Sequence, residues 1–335
     1  MAGAVNRLPS TDLYFLNAMA PWVRPRFGLR WGMRNRPIRA VGANAFVAGD
    51  AFVLIRQDTP DVMRAALDWR GSMVYVIDDD VAAGAVCPLL PDGYRARLAR
   101  FERAFHRHLL ARADIVLAAS DVLARRLAQD RAGPIARIDP VWRQAAADGA
   151  HFAPLARGAP LHIVQLGSAS HRGALAATAP IMREVLDRHA GITFTYFSPR
   201  TIDGGLERHP RARRVEPMTW PEYQRWMGRN RFHLGLYPLA QTPFDRARSA
   251  SKLSEHAILG AAALCPQGWP PAQGRQGVLL APDRPEDWGE IIVQCIHRRD
   301  ELQWIRQSFS KSQPCVRPFA VQQEMWKRIL PIGQW

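Results

Sequence analysis

The run from Pro243 to Gly260 (PFDRARSASKLSEHAILG) sets two chemically able groups at a fixed spacing. It reads as a polar, basic loop that enters an apolar helix. Lys252 and Glu255 are three residues apart and so share one helix face. Ser249 or Ser251 caps the helix start, because a short hydroxyl side chain satisfies first-turn amides. Ala257, Ile258, Ala261 and Ala262 lie on other faces and pack inward. Free amides at a helix N-terminus, with Arg248 and Lys252 around them, suit an anion, most simply a phosphate. Glu255, one turn deeper, is acceptor-only and suited to a pair of hydroxyls such as a ribose diol. Of the 45 basic residues only Lys252, Lys311 and Lys327 are lysine. A chain otherwise committed to arginine therefore places a compact point charge at this helix start. The competing reading is a solvated Lys–Glu pair on a surface helix, worth only ~0.2–0.5 kcal/mol.

A second stretch, Ile163 to Gly173 (IVQLGSASHRG), is an apolar strand that ends at a glycine. Gly167 lets a diphosphate approach the backbone, while Ser168 and Ser170 offer hydroxyl donors. His171 and Arg172 then open the next helix, expected over Gly173–His189. A glycine pair at this spacing occurs in many strand-to-helix turns and gains weight from the later segment.

Together these residues resemble the donor-sugar signature of family 4-type glycosyltransferases of the glycosyltransferase-B fold (glycosyltransferase family 1 protein, group 1 superfamily). In that pattern a strand ending in Pro-Leu is followed by Phe-Asn, Lys-Ser, Lys-x-x-Glu-Tyr and a glycine. Leu234 to Pro266 supplies Pro238-Leu239, Phe244-Asp245, Arg248-Ser249, Lys252-x-x-Glu255-His256 and Gly260 in that order. Asp245 for Asn and Arg248 for Lys keep size or charge, whereas His256 for Tyr alters one packing contact. Gly167 to His171 resembles the Gly-Thr-x-Ser-His opening of the same nucleotide domain.

The resemblance covers roughly residues 70–310. It implies an α/β protein with two Rossmann-like doubly wound domains facing across a cleft. It also implies transfer of a sugar from a nucleotide-diphosphate sugar to an acceptor hydroxyl, with retention of configuration and no obligatory metal. Arg248 and Lys252 would stabilise the departing diphosphate. Gly167, Ser168, Ser170, His171, Arg172, Ser249 and Glu255 would bind the donor, with the base near Val215 to Met218. A saccharide or lipid-linked acceptor in surface-polysaccharide or glycolipid assembly is the accompanying expectation.

Asp78-Asp79-Asp80 ends an apolar strand, Met73–Ile77, where like charges repel and raise one another's pKa. The C-terminal edge of a parallel sheet faces the ligand crevice. Three readings are open: an Asp-x-Asp site for a divalent metal, an aspartate that orients an acceptor hydroxyl, and a turn with a helix cap. Asp79 is the third candidate catalytic residue, and Asp78 and Asp80 are candidates on the acceptor side. On the arginine-rich helix Asp92–Ala111, His106 and His108 point to different sides and read as a solvated face.

At 335 residues the chain suits two domains of about 150 residues each. The division expected is 1–155, 156–312 and a tail, 313–335, forming a helix that crosses back to the first domain; Ile138–Gly158 is the crossover between the two. The net charge of +15 favours anionic partners. A nucleic-acid-binding protein is one rival reading, although the arginines are spread along the chain and no recognition helix stands out. A catalytically silent nucleotide-sugar binder is another. In the first 49 residues Trp22, Phe27 and Trp31 are interleaved with Arg24, Arg26, Arg30, Arg34, Arg36 and Arg39. That mix reads either as peripheral contact with an anionic membrane surface or as an irregular connection. Cys87, Cys265, Cys295 and Cys315 have no paired spacing and read as free thiols in a reducing compartment. With no signal-peptide pattern and no apolar run long enough to span a bilayer, the expected location is cytoplasmic, peripheral at the inner membrane face.

Overall fold

The computed structural model describes residues 8–24, 35–200, 205–240, 242–312 and 319–330. Arg26, Phe27, Arg30, Trp31 and Arg34 of the basic–aromatic stretch lie outside them, as do Asp203, Gly204, Cys315 and Trp335. Within the described part of that stretch, Arg36 is occupied by the carbonyls of Ala20 and Val23. Lys327 stands over the Trp22 ring.

The first sheet holds β1 (Val23–Arg24), β2 (Ile38–Ala40), β3 (Ala45–Ala48), β4 (Ala51–Ile55), β5 (Met73–Ile77), β6 (Ile115–Ala118) and β7 (Ile135–Arg137), side by side in chain order. β3 runs antiparallel to both neighbours and β4 to β7 are parallel. Every residue of β4 and β5 is buried. Uninterrupted apolar runs such as FVLI and VYVI are what a parallel sheet covered on both faces requires.

The second sheet holds β8 (Leu161–Gln165), β9 (Ile192–Phe197), β10 (Ala212–Val215), β11 (Leu234–Leu236), β12 (Ala262–Pro266) and β13 (Val278–Ala281). Its order is β10-β9-β8-β11-β12-β13, with all pairs parallel. The chain thus winds outward from β8, then returns to the other side of β8 to place β11. At that reversal the connections leaving β8 and β11 diverge and open a crevice at their C-terminal ends. β10 begins two residues before the expected Arg214. Beyond the helix Gly289–His297, Arg299–Ser312 forms a further helix that the sequence reading did not separate.

The lobes are closely joined. Phe244 and Ala247, from the second lobe, sit in the apolar core of the first. Ser120 Oγ donates to the Ala247 carbonyl at 2.6 Å, and Trp220 Nε1 donates to Asp12 Oδ2 at 2.7 Å. The helix Phe319–Ile329 lies on the first lobe, where Trp326 Nε1 donates to the Tyr14 carbonyl and the indole packs edge-on against Phe15. No described helix is long and apolar enough to cross a membrane.

At the opposite end of the second sheet, three histidines tie the crossover to the strands. The rings of His162 and His233 stack at 5.3 Å, with His151 at 5.2 Å from His233. His233 Nδ1 accepts from the His162 amide at 2.8 Å, so its Nε2–H faces the His151 carbonyl at 3.1 Å. Burial, with the neighbouring imidazoles, lowers the His233 pKa from 6.5 to about 4. Burial lowers His151 as well, with Arg306 and Arg231 acting the same way and Asp148 opposing. The unfolded imidazole gains its proton near 6.5 and the folded one only near 4, so stability is full above 6.5 and falls between these values. The expected result is a melting temperature that drops as pH is lowered through that window. A smaller slope in His233→Gln than in the wild type checks the assignment.

Candidate active site

The crevice at the switch point is built from the turn after β8 and the segment after β11. On the β8 side, Gly167 leads into a single turn that carries Ser168, Ser170 and His171 before the helix Arg172–Arg188. A Cβ at Gly167 would come to 3.1 Å from the His171 Cβ, so the absence of a side chain permits the tight turn. The His171 ring is buried, and its Nδ1 accepts from the Ser168 amide at 3.2 Å. That bond leaves the proton on Nε2, a buried donor with no protein partner. Burial, then Arg248 and Lys252, hold the His171 pKa well below its ordinary value, which keeps the ring neutral. Ser168 and Arg172 are exposed at the rim, and Ser170 is half-buried.

On the β11 side, Pro243–Arg246 forms one turn capped by Thr242, whose hydroxyl accepts from the Asp245 amide at 3.1 Å. This turn aims Arg248 inward. The Arg248 Nε donates to Asp245 Oδ1 at 3.0 Å and the guanidinium lies 4.7 Å above the Phe244 ring. Its side chain is 10% exposed, yet Nη2 has no protein partner. Burial alone would lower the Arg248 pKa, but Tyr237, Asp79 and Asp245 outweigh it and raise the value. Asp79, on the first lobe, therefore shares a field with Arg248 across the crevice.

The helix Ser251–Leu259 follows. Neither serine caps it in the expected way: Ala250 occupies the cap position and makes no side-chain cap bond. Ser249 Oγ accepts from the Ser251 amide at 3.4 Å, a long bond. With no side-chain cap, the helix start keeps amide capacity for an anion beside Lys252. Lys252 Nζ donates to Glu255 Oε2 at 2.5 Å, and the Tyr223 hydroxyl donates to the same oxygen. Glu255 is 5% exposed. Both side chains are largely buried, so this is not the solvated surface pair of the competing reading. His256 is fully buried against Gly235, where a Cβ would come to 2.7 Å from its ring. It therefore fills a packing position.

The three aspartates divide. Asp80 caps the helix Val81–Val86, accepting from the Ala83 amide at 2.9 Å. Asp78 and Asp79 share Arg56, at 3.3 Å and 2.8 Å. Asp78 also accepts from Ser10 Oγ at 2.5 Å. Burial and Asp79 raise the Asp78 pKa against the pull of Arg56. Among the described residues no group of three or more His, Cys, Asp or Glu is arranged to hold a metal ion. Arg56 stands in the left-handed region with φ 58°, as the only non-glycine residue so placed among those described. Its identity was not anticipated; the one signal was an arginine terminating the apolar run AFVLI.

The same network reaches a histidine that the sequence reading placed on a solvated face. His106 is buried, with Nδ1 2.9 Å from the Tyr75 hydroxyl, and burial together with Arg56 lowers its pKa to about 3. The helix widens into a π-turn over Glu102–His106, and the extra residue rotates His106 inward. His108 remains exposed.

A cleft of about 110 Å³ opens beside these groups, between Cys87, Leu89 and Leu90 of the first lobe and Ser170, His171, Leu239 and Asp245 of the second. A larger groove, about 490 Å³, lies away from the crevice between the helices Arg172–Arg188 and Gly289–His297.

No family model and no curated protein matches the chain. Solved structures do. TarM is 9% identical with a TM-score of 0.56, covering 83% of this chain and 54% of its own. The UDP-forming α,α-trehalose-phosphate synthase from Burkholderia xenovorans is 8% identical at 0.53, covering 83% and 72%. Anabaena Alr3699/HepE, in complex with UDP and glucose, is 14% identical at 0.55, covering 83% and 77%. The chain spans about half the length of TarM. At these identities the likeness is one of fold, and the fold is glycosyltransferase-B.

Proposed function

We propose that the protein is a glycosyltransferase that moves a sugar from a nucleoside-diphosphate sugar to an acceptor hydroxyl, with retention of configuration. The observation that carries this is the meeting of three donors at the switch point. They are the unpartnered Arg248 Nη2, the unpartnered His171 Nε2–H and the Lys252 ammonium over an uncapped helix start. A buried donor left without a partner costs about 1–3 kcal/mol, and a diphosphate would satisfy all three at once. Two of the structural neighbours support a nucleotide donor, since one is UDP-forming and another holds UDP and glucose.

When the bond from the anomeric carbon to the β-phosphate oxygen breaks, negative charge collects on that phosphate. Arg248 is a fixed cation for that charge, Lys252 a second cation that turns onto it, and His171 adds a neutral hydrogen bond. Ser168, Ser170 and the Gly167 backbone border the diphosphate, with Arg172 and Ser249 at its edges. Glu255 accepts from the ribose diol, displacing Lys252 toward the phosphates. Asp79, held by Arg56, orients the acceptor hydroxyl from the other lobe. The acceptor is a saccharide or lipid-linked saccharide, of the kind used in surface-polysaccharide or glycolipid assembly.

A thermal-shift panel of UDP, GDP and ADP with their sugar conjugates tests the reading. A matched ligand at a hundred times its Kd should stabilise the protein by about 2.7 kcal/mol, and one base should stand out. A panel with no shift overturns the proposal.

A further inference from the structure

Tyr223 belongs to the helix Trp220–Arg229, whose first turn is locked by Glu222 reaching back to the Thr219 amide at 2.8 Å and hydroxyl at 2.7 Å. Its ring is confined on three sides, stacked with Trp226 at 6.3 Å, beside Trp220 at 6.0 Å and edge-on to Phe197 at 5.8 Å. These rings hold the Tyr223 side chain where its hydroxyl donates to Glu255 Oε2. Lys252 donates to the same oxygen and lies 5.9 Å from the Tyr223 ring centroid. Of the two donors on this carboxylate, one is a flexible cation and the other a rigid phenol.

We propose that Tyr223 is a positioning residue: its hydroxyl holds Glu255 aimed at the ribose diol and so sets the preference for ribose over 2′-deoxyribose nucleotides. This rests on the donor site proposed above. When Lys252 turns to the diphosphate, Glu255 would lose a partner and rotate after it. The phenol keeps the carboxylate in place, and two hydroxyls can then donate to it together. Burial and Glu255 raise the Tyr223 pKa, so the phenol stays a donor throughout the working pH range. The pull of Tyr223 acts on the sugar end of the nucleotide and leaves the phosphate end alone.

The test uses the full chain carrying Tyr223→Phe, which removes one oxygen and keeps the ring among its aromatic neighbours. Calorimetry compares UDP, GDP and ADP with their 2′-deoxy forms, and with inorganic pyrophosphate. The wild type should favour the ribose form about tenfold or more. Tyr223→Phe should weaken the ribose form by about that factor while leaving the 2′-deoxy form and pyrophosphate within about twofold. Glu255→Gln should collapse the same ratio, and adding Tyr223→Phe to it should change the ratio no further. An unchanged ribose preference in Tyr223→Phe overturns the proposal, as does an equal loss for all three ligands. Absence of any nucleoside-diphosphate binding to the wild type is a different result, which overturns the donor site itself and this role with it.

Discussion

Lys252→Ala is expected to slow sugar transfer at least about a hundredfold, because removing one donor from the departing charge costs about 2–4 kcal/mol of barrier. The ammonium sits in the first turn of Ser251–Leu259, beside a helix start with no side-chain cap. A phosphate bound there gathers charge only as the glycosidic bond breaks, so the loss falls on kcat more than on KM. Glu255→Ala should give a comparable loss through a separate route, by freeing the nucleoside end and misplacing the reacting carbon. Neither substitution should unfold the protein. Lys252→Ala leaves Glu255 the Tyr223 hydroxyl, and Glu255→Ala leaves Lys252 beside the Tyr223 ring. Turnover numbers measured beside melting curves decide the matter, and near-normal turnover in both variants removes the glycosyl-transfer reading.

The second large effect concerns stability. Arg56→Met should cost about 3–5 kcal/mol, the penalty for leaving buried charge uncompensated. Two adjacent carboxylates, Asp78 and Asp79, converge on this one guanidinium, and burial already works against ionised Asp78. If charge is the cause, Asp78→Asn with Asp79→Asn in the same chain should restore most of the loss. The pH dependence has a definite sign. Asp78 has a folded pKa above its ordinary 3.8, so the stability linked to it is complete below 3.8 and is lost as pH rises through the folded value. The deficit of Arg56→Met should therefore shrink as pH is lowered toward 3.8. Denaturant titrations of the single and triple variants at two pH values measure it, and a pH-independent deficit without rescue would mean lost packing.

The donor side of the site was legible because its chemistry is local. Arg248, Lys252 and Glu255 fall within eight residues, and the turn at Gly167 to His171 is another continuous run. Spacing along one helix or one turn determines which groups converge, and both lie where parallel strands end. The partners from elsewhere were not legible. Tyr223 and Arg56 meet Glu255 and the Asp78–Asp79 pair from segments distant in sequence, which local spacing does not reveal. Tyr223 was read as an ordinary helix residue, because nothing near it in sequence identifies Glu255 as its partner. His106 was misplaced for a different reason, a π-turn that breaks the helical period on which face assignments depend. The helix was legible but its cap was not, since Ala250 rather than Ser249 or Ser251 takes the cap position. The long apolar strands β4, β5, β8 and β9 were plain, whereas two- and three-residue strands such as β1, β2 and β7 carry too little pattern to register.

The seating of Phe244 among first-lobe side chains, with Ser120 bound to the Ala247 carbonyl, has a mechanical result. The segment that carries Arg248 is anchored by the opposite half of the molecule from the sheet that supplies His171. A hinge motion prying the halves apart would have to strip an aromatic side chain out of apolar surroundings, at about 1.5–3 kcal/mol. Arg248, bonded to Asp245 and lying over the Phe244 ring, would move with that segment. The position of the candidate cationic centre is thus set by packing between the two halves.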